Sequence, residues 1–463
     1  MKTDNTASYK KGEMITVDIT DFGENGEGIG KTDAFTWFIK DTVIGDKVKA
    51  KVMKTKKSYG YARLESIVEE SPDRIEAKCP VARSCGGCTL QSLDYKAELK
   101  LKQNKVENHL KRIGGFDLSS VEIEEIIGME DPYRYRNKSQ FPFGRKNGKN
   151  ITGYFASRTH SIVEFDDCII GIKENKTVLQ TVLDFMEKYS VDAYNEEDGS
   201  GIVRHVLIRK GFATGELMVC IVINTNSLPH SDKLVESLCS TLGSDLKSVS
   251  ININKKNTNV ILGEKTVTLY GNGYIEDYIG DVKFRISPQS FYQVNPVQTK
   301  KLYSKALEYA ALTGEETVWD MYCGIGTISL FLAKSAKFVY GVEIVDAAIQ
   351  NAIENAKINN IENVKFFVGK AEEIITGEYE NGNIRDIDVI VVDPPRKGLD
   401  KLAIDTMLKL LPKRIVYVSC DSSTLARDLK LLCEKEYELK KLTVVDQFAR
   451  SYHTESVVVM ERK

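Results

Sequence analysis

"ETVWDMYCGIG", residues 316–326, is an apolar strand running into a glycine turn, and "TISLFLAKSA" (327–336) continues from it as a helix. Outward from that unit the pattern repeats. "KFVYGVEI" (337–344), "VKFFVG" (364–369), "DVIVVDPP" (388–395) and "RIVYVSC" (414–420) are further apolar strands with helical segments between them. This alternation over residues 286–463 predicts a parallel, doubly wound α/β sheet of Rossmann-like type, whose ligand site lies beyond the carboxyl ends of the strands. "ESVVVMER" (455–462) reads as an added hairpin strand at the end.

Two other regions precede this one. Residues 8–67 alternate as short strands punctuated by glycine, which predicts a small OB-like barrel, a common oligonucleotide binder. The spacing of Gly23, Gly26, Gly28 and Gly30, with "GDKVKAKV" (45–52), resembles the TRAM domain of RNA-modifying enzymes. Residues 68–285 form an α+β middle region that opens on clustered cysteines. A helix is expected over 95–113, with Tyr95, Leu99, Val106, Leu110 and Ile113 on one face.

The chain has 463 residues, 42% hydrophobic and 28% charged, which is ordinary globular composition with ample core. No apolar run approaches the roughly 18 residues of a membrane span, and the polar N-terminus has no apolar signal core, so a cytoplasmic location is expected. A monomer is assumed. The formal net charge of −2 conceals two basic stretches. Residues 47–63 and 134–160 each carry seven Lys or Arg and no acid, with aromatic residues among them. Cations beside exposed rings suit single-stranded RNA, through phosphate attraction and base stacking.

Asp320, Gly324 and Gly326 stand at the turn after the first strand of the sheet. The short second gap leaves no full G-x-G-x-x-G cradle for a pyrophosphate, and Glu343 ends the second strand, where a carboxylate accepts both ribose hydroxyls. A nucleoside without phosphates fits, and S-adenosylmethionine is the common one. Asp393, in "VDPPRKG" (392–398), ends the fourth strand, where it faces a transferred methyl. Enzymes that methylate exocyclic amines commonly place an aromatic ring where this chain has Arg396, which disfavours an amine target.

Cys420, at the strand tip before the helix-capping "DSST" (421–424), is where a thiol would be held ionised. Carbon 5 of uracil cannot attack a methyl sulfonium unaided. A thiolate added to carbon 6 makes carbon 5 nucleophilic, and a base must then remove the carbon 5 proton so that the thiolate can leave. Glu455, before the last strand, is the candidate base, and His453 is its rival. Cys220, Cys239, Cys323 and Cys433 read as small packed hydrophobes.

"SPQSFYQVNP" (287–296), "DMYCGIGTISL" (320–330), "VDPPRKG", "VSCDSSTLARD" (418–428) and "HTESVVVM" (453–460) together resemble the RNA uridine-5-methyltransferase family, specifically its bacterial 23S ribosomal RNA branch. The resemblance implies Cys420 as nucleophile, Glu455 as base, and Gln293, Tyr322, Glu343 and Asp393 as S-adenosylmethionine contacts. It implies a target uridine in 23S RNA. A tRNA target and a non-catalytic RNA-binding or ribosome assembly role are the alternatives.

"CPVARSCGGC" places Cys79, Cys85 and Cys88 within ten residues, a spacing that points to a metal centre, with Cys168 the candidate fourth ligand. Four thiolates suit an iron–sulfur cluster or zinc. The resembled rRNA enzymes carry a [4Fe-4S] cluster on this pattern.

Overall fold

The computed structural model describes residues 9–33, 35–157, 159–165, 167–384 and 387–463. It divides into two compact units: one of Met1–Lys102, Tyr154–Val163 and Phe448–Tyr452, the other of Gln103–Gly153, Glu164–Gln447 and His453–Lys463.

The first unit contains a closed barrel of β1 (Met14–Phe22), β2 (Gly28–Thr32), β3 (Phe35–Ile39), β4 (Lys47–Thr55) and β5 (Tyr59–Glu69), in the order β1-β2-β3-β5-β4. Alternation explains it. In β4, Val48, Ala50 and Val52 are buried while the intervening lysines point outward. Gly30 has a steric cause: a Cβ there would lie 2.3 Å from the Asp18 carbonyl oxygen, so only glycine lets β1 and β2 close. The helix α1 (Tyr95–His109) ends earlier than expected, giving way to a widened turn at 110–114, and Ile113 is 40% exposed. Its buried face in this unit is partly ionic. Glu98 and Lys102 are wholly buried and paired at 2.8 Å, and the Arg450 backbone N–H also donates to Glu98, so an apolar stripe was the wrong template there.

The second unit contains two sheets and a hairpin. One sheet holds β7 (Lys138–Lys146), β8 (Lys149–Phe155), β10 (Val203–Lys210), β11 (Leu217–Ile223), β12 (Leu246–Ile253) and β13 (Lys265–Gly271), in the order β13-β12-β11-β10-β7-β8, and the short β9 (Ile162–Glu164) falls mostly in the first unit. The helices α2 (Glu174–Lys188) and α3 (Ser231–Leu242) belong to the same region, and β14 (Ile275–Ile279) pairs with β15 (Val282–Ile286) as a hairpin.

The other sheet is the one foreseen from residues 286–463. With β6 (Glu122–Ile123), β16 (Thr317–Met321), β17 (Phe338–Glu343), β18 (Val364–Val368), β19 (Val389–Val392), β20 (Arg414–Ser419), β21 (Tyr437–Val445) and β22 (Glu455–Arg462), its order is β18-β17-β16-β19-β20-β22-β21-β6. β16 to β20 pair in parallel, and β22 inserts antiparallel between β20 and β21. Flanking it are α4 (Pro296–Ala310), α5 (Thr327–Ala333), α6 (Asp346–Ile358), α7 (Ala371–Glu380), α8 (Lys401–Leu410) and α9 (Ser422–Leu432). Apolar runs such as Val389–Val392 are buried on both faces, as a covered parallel sheet requires. The strand order reverses between β16 and β19, which opens the crevice where α/β sheets take ligands. Among the described residues, no helix is long and apolar enough to cross a membrane.

Candidate active site

The turn after β16 folds tightly back on β17. The backbone N–H groups of Tyr322 and Cys323 both donate to the Val342 carbonyl, at 2.9 and 3.0 Å. Tyr322, Gly324 and Gly326 have φ of 76°, 55° and 82°. Glycine accepts that conformation freely, whereas Tyr322 is strained by it, as functional loops often are. A Cβ on Gly326 would press within 3.2 Å of Ala352 and Phe366, while one on Gly324 would meet open space. The turn is therefore packed behind and vacant in front.

Asp320 is wholly buried and accepts a 2.5 Å bond from the Ser329 hydroxyl, while its other oxygen has no partner. Burial pushes its carboxyl up to about 7, Ser329 opposing and Glu343 adding to the rise. Glu343 ends β17 and accepts the Val345 N–H at 3.0 Å. Directly after it, Ile344 and Val345 are 64% and 53% exposed. An apolar shelf beside a carboxylate is what a flat base and a ribose diol require. Gln293 is buried, and its carbonyl accepts the Asn137 side-chain N–H at 3.1 Å.

Cys420 stands one residue past β20. In the β20–β22 register Ser419 lies opposite Ser456, so Cys420 and Glu455 occupy the next facing positions. Glu455 is 2% exposed and one of its carboxyl oxygens has no partner, whereas His453 is exposed. Asp393 follows β19 and is half-buried, its carboxyl raised by burial and by Asp320. Glu455 is raised by burial and by Asp393, with Arg396 pulling the other way.

The thiol is not held ionised, contrary to the sequence expectation. Burial, then Glu455 and Asp393, push Cys420 up to about 12, with Arg396 opposing. The cause is local. The N-terminal amides of α9, at Ser423 and Thr424, are already taken by the Asp421 carboxylate at 2.9 and 3.1 Å, and Asp421 adds its own charge against the thiolate.

Tyr303 was not anticipated. It is 2% exposed, its hydroxyl lies 3.0 Å from the Thr327 hydroxyl, and its pKa is raised by burial and by Asp393, Asp320 and Glu455. In sequence it merges with the buried stripe Leu302, Ala306 and Tyr309 of α4, which carries no sign of a polar role.

The arrangement is a rim with one half-buried thiol, three crowded carboxyls and one exposed guanidinium. Burial raises the carboxyls of Asp320, Asp393 and Glu455, Asp320 adds to the rise at Asp393 and Asp393 to that at Glu455, and Arg396 offsets it only at Glu455. The residues fit S-adenosylmethionine, whose sulfur is positively charged.

Cys79, Cys85 and Cys88 lie on one half-buried loop of the first unit, where the Cys85 sulfur accepts the Gly87 N–H at 3.4 Å. Cys168 belongs to the second unit, and its carbonyl accepts from Arg134 at 3.0 Å. Among the described residues, no three His, Cys, Asp or Glu side chains are gathered as metal ligands. Thiol donors of this kind suit either an iron–sulfur centre or zinc. Cys220 and Cys323 are buried, with thiols pushed up by burial, as packing residues would be.

The strand order, the glycine turn and the acidic end of β17 define an S-adenosylmethionine-dependent methyltransferase fold. A sequence model of the tRNA (uracil-5-)-methyltransferase family matches residues 94–463, and the chain belongs to that family of RNA methyltransferases. A TRAM domain model matches residues 9–64. Among curated proteins, an uncharacterized RNA methyltransferase of Clostridium acetobutylicum is 49% identical over 98% of both chains. One from Halalkalibacterium halodurans is 48% identical over 99% of both. The crystal structure of Pyrococcus abyssi tRNA (uracil-54, C5)-methyltransferase with S-adenosyl-L-homocysteine is 27% identical, with a TM-score of 0.76, over 96% of this chain and 100% of that one.

Proposed function

We propose that this enzyme methylates carbon 5 of a uridine in 23S ribosomal RNA through a covalent adduct on Cys420. The observation that carries the reading is the placement of Cys420 opposite Glu455, beside Asp393, on the rim of the sheet. The Cys420 sulfur, its proton released to solvent, adds to carbon 6 of the uracil, and the ring electrons pass to carbon 5 and the adjoining carbonyl. Glu455, as carboxylate, removes the carbon 5 proton, and the sulfur–carbon 6 bond breaks as the ring double bond returns. Gln293, Tyr322, Glu343 and Asp393 hold S-adenosylmethionine, which when bound supplies the methyl group to carbon 5 and a positive charge to the crowded carboxyls. Arg396 tempers the negative field at both Cys420 and Glu455.

The ribosomal target rests on the pairing of a TRAM domain with the cysteine cluster, although the Pyrococcus abyssi tRNA enzyme aligns over 96% of this chain and so over the TRAM region as well. Three working domains follow: 8–67 and 68–285 grip RNA, and 286–463 carries the chemistry. Cys79, Cys85, Cys88 and Cys168 are proposed as ligands of a [4Fe-4S] cluster that stiffens the RNA-gripping part, since the reaction moves no electron. A tRNA target is the second reading, favoured by the likeness to the Pyrococcus abyssi tRNA enzyme. The test is incubation with S-adenosylmethionine and either a 23S transcript or tRNA, followed by digestion and mass analysis of nucleosides. 5-Methyluridine from 23S alone supports the proposal; from tRNA alone it moves the target; from neither, the chain acts as a binding factor.

A further inference from the structure

Lys138 opens β7, and in the β7–β10 register it lies directly opposite Arg209. Directly opposed residues of an antiparallel pair share a face. Arg209 is 1% exposed, its guanidinium donates only to the Ser287 and Ser290 carbonyls, and its Nε has no partner. Arg136 is half-buried, its Nε is likewise unpartnered, and its charge acts on Lys138. Burial, Arg209 and Arg136 lower the half-buried Lys138 to about 8, and no carboxylate counters them. Among the described residues, no ion pair joins any of the three to an acid.

Holding like charges together out of water is unfavourable, so an oxyanion taken up among them would be held strongly. The site is also held against the loop that carries Gln293. Arg209 binds the turn at Ser287 and Ser290, and Asn137 binds Gln293 and Val294 of the same loop. From that loop Phe291 projects, 67% exposed.

We propose that Lys138 and Arg136, backed by the buried Arg209, form a receptor for an oxyanion, and that its occupant is a phosphodiester of the RNA strand beside the target uridine. This rests on the RNA substrate of the proposed function. The other source of the same chemistry is the carboxylate of the cofactor's methionine arm.

The experiment compares Lys138→Gln and Lys138→Arg with the parent enzyme. Binding of a 23S transcript is measured over a range of salt, and binding of S-adenosyl-L-homocysteine at one salt. The expected result for Lys138→Gln is weaker RNA binding and a shallower slope of log affinity against log salt, by about 0.7 for one lost single-strand phosphate contact. Cofactor affinity stays the same, and Lys138→Arg keeps the parent slope. Loss of cofactor affinity overturns the RNA assignment. An unchanged slope with both affinities intact overturns the site. If Lys138→Gln does not fold, Arg136→Gln at the half-buried neighbour carries the same measurement. Neither readout involves methyl transfer, so an error about Cys420 would leave this test standing.

Discussion

Cys420 is a thiol whose neighbours resist its ionisation. Burial, then Glu455 and Asp393, raise its pKa and Arg396 lowers it, so the ligand-free enzyme should guard the nucleophile until RNA and cofactor are present. At pH 8, iodoacetamide should therefore alkylate Cys420 more slowly than a free thiol. Asp393→Asn removes a negative neighbour and should quicken the reaction, whereas Arg396→Gln should slow it further; mass spectrometry of the 420-containing peptide reads both. Glu455→Gln makes a different prediction. With the base gone, the methylated adduct cannot release, so a slow-migrating protein–RNA band should accumulate with ordinary uridine. The candidate nucleophile and base were legible because their motifs are short and local. Tyr303 was not, since its hydroxyl meets Thr327 and feels the carboxyls only once α4 is packed, and from sequence it is one more apolar position on a buried stripe.

At the scale of the element, the strand–turn–helix from β20 to α9 is what aims Cys420. Asp421 caps α9 through the Ser423 and Thr424 amides. Asp421→Ala should cost about 1 kcal/mol of stability, the usual value of an N-cap, measured by chemical denaturation. It should also lower the Cys420 pKa, by freeing two amides and deleting a negative charge. The sheet was legible because apolar strands and helices alternate from 316 onward. The face of α1 was misread because Glu98 and Lys102 compensate each other inside, a pairing that a hydrophobic template cannot register. The Lys138–Arg209 pair was equally invisible, because register between β7 and β10 joins residues far apart in the chain.

For the whole molecule, the carboxyls sacrifice stability to make a cation-seeking site. Asp320 has a folded pKa of about 7 against roughly 3.9 in an unfolded chain. Between those values the folded state binds more protons than the unfolded one, so stability falls as pH rises through that window. Asp320→Asn should flatten that fall, seen as a smaller drop in thermal midpoint from pH 4 to 7. The central claim is covalent catalysis by Cys420 on a uridine, and a denaturing gel tests it most directly. The enzyme is incubated with S-adenosylmethionine and RNA containing 5-fluorouridine, whose fluorine cannot leave as a proton does, so the adduct is trapped. The account predicts a slow band with 23S RNA that is absent in Cys420→Ala. A band that survives in Cys420→Ala, or no band with either 23S RNA or tRNA, would contradict it.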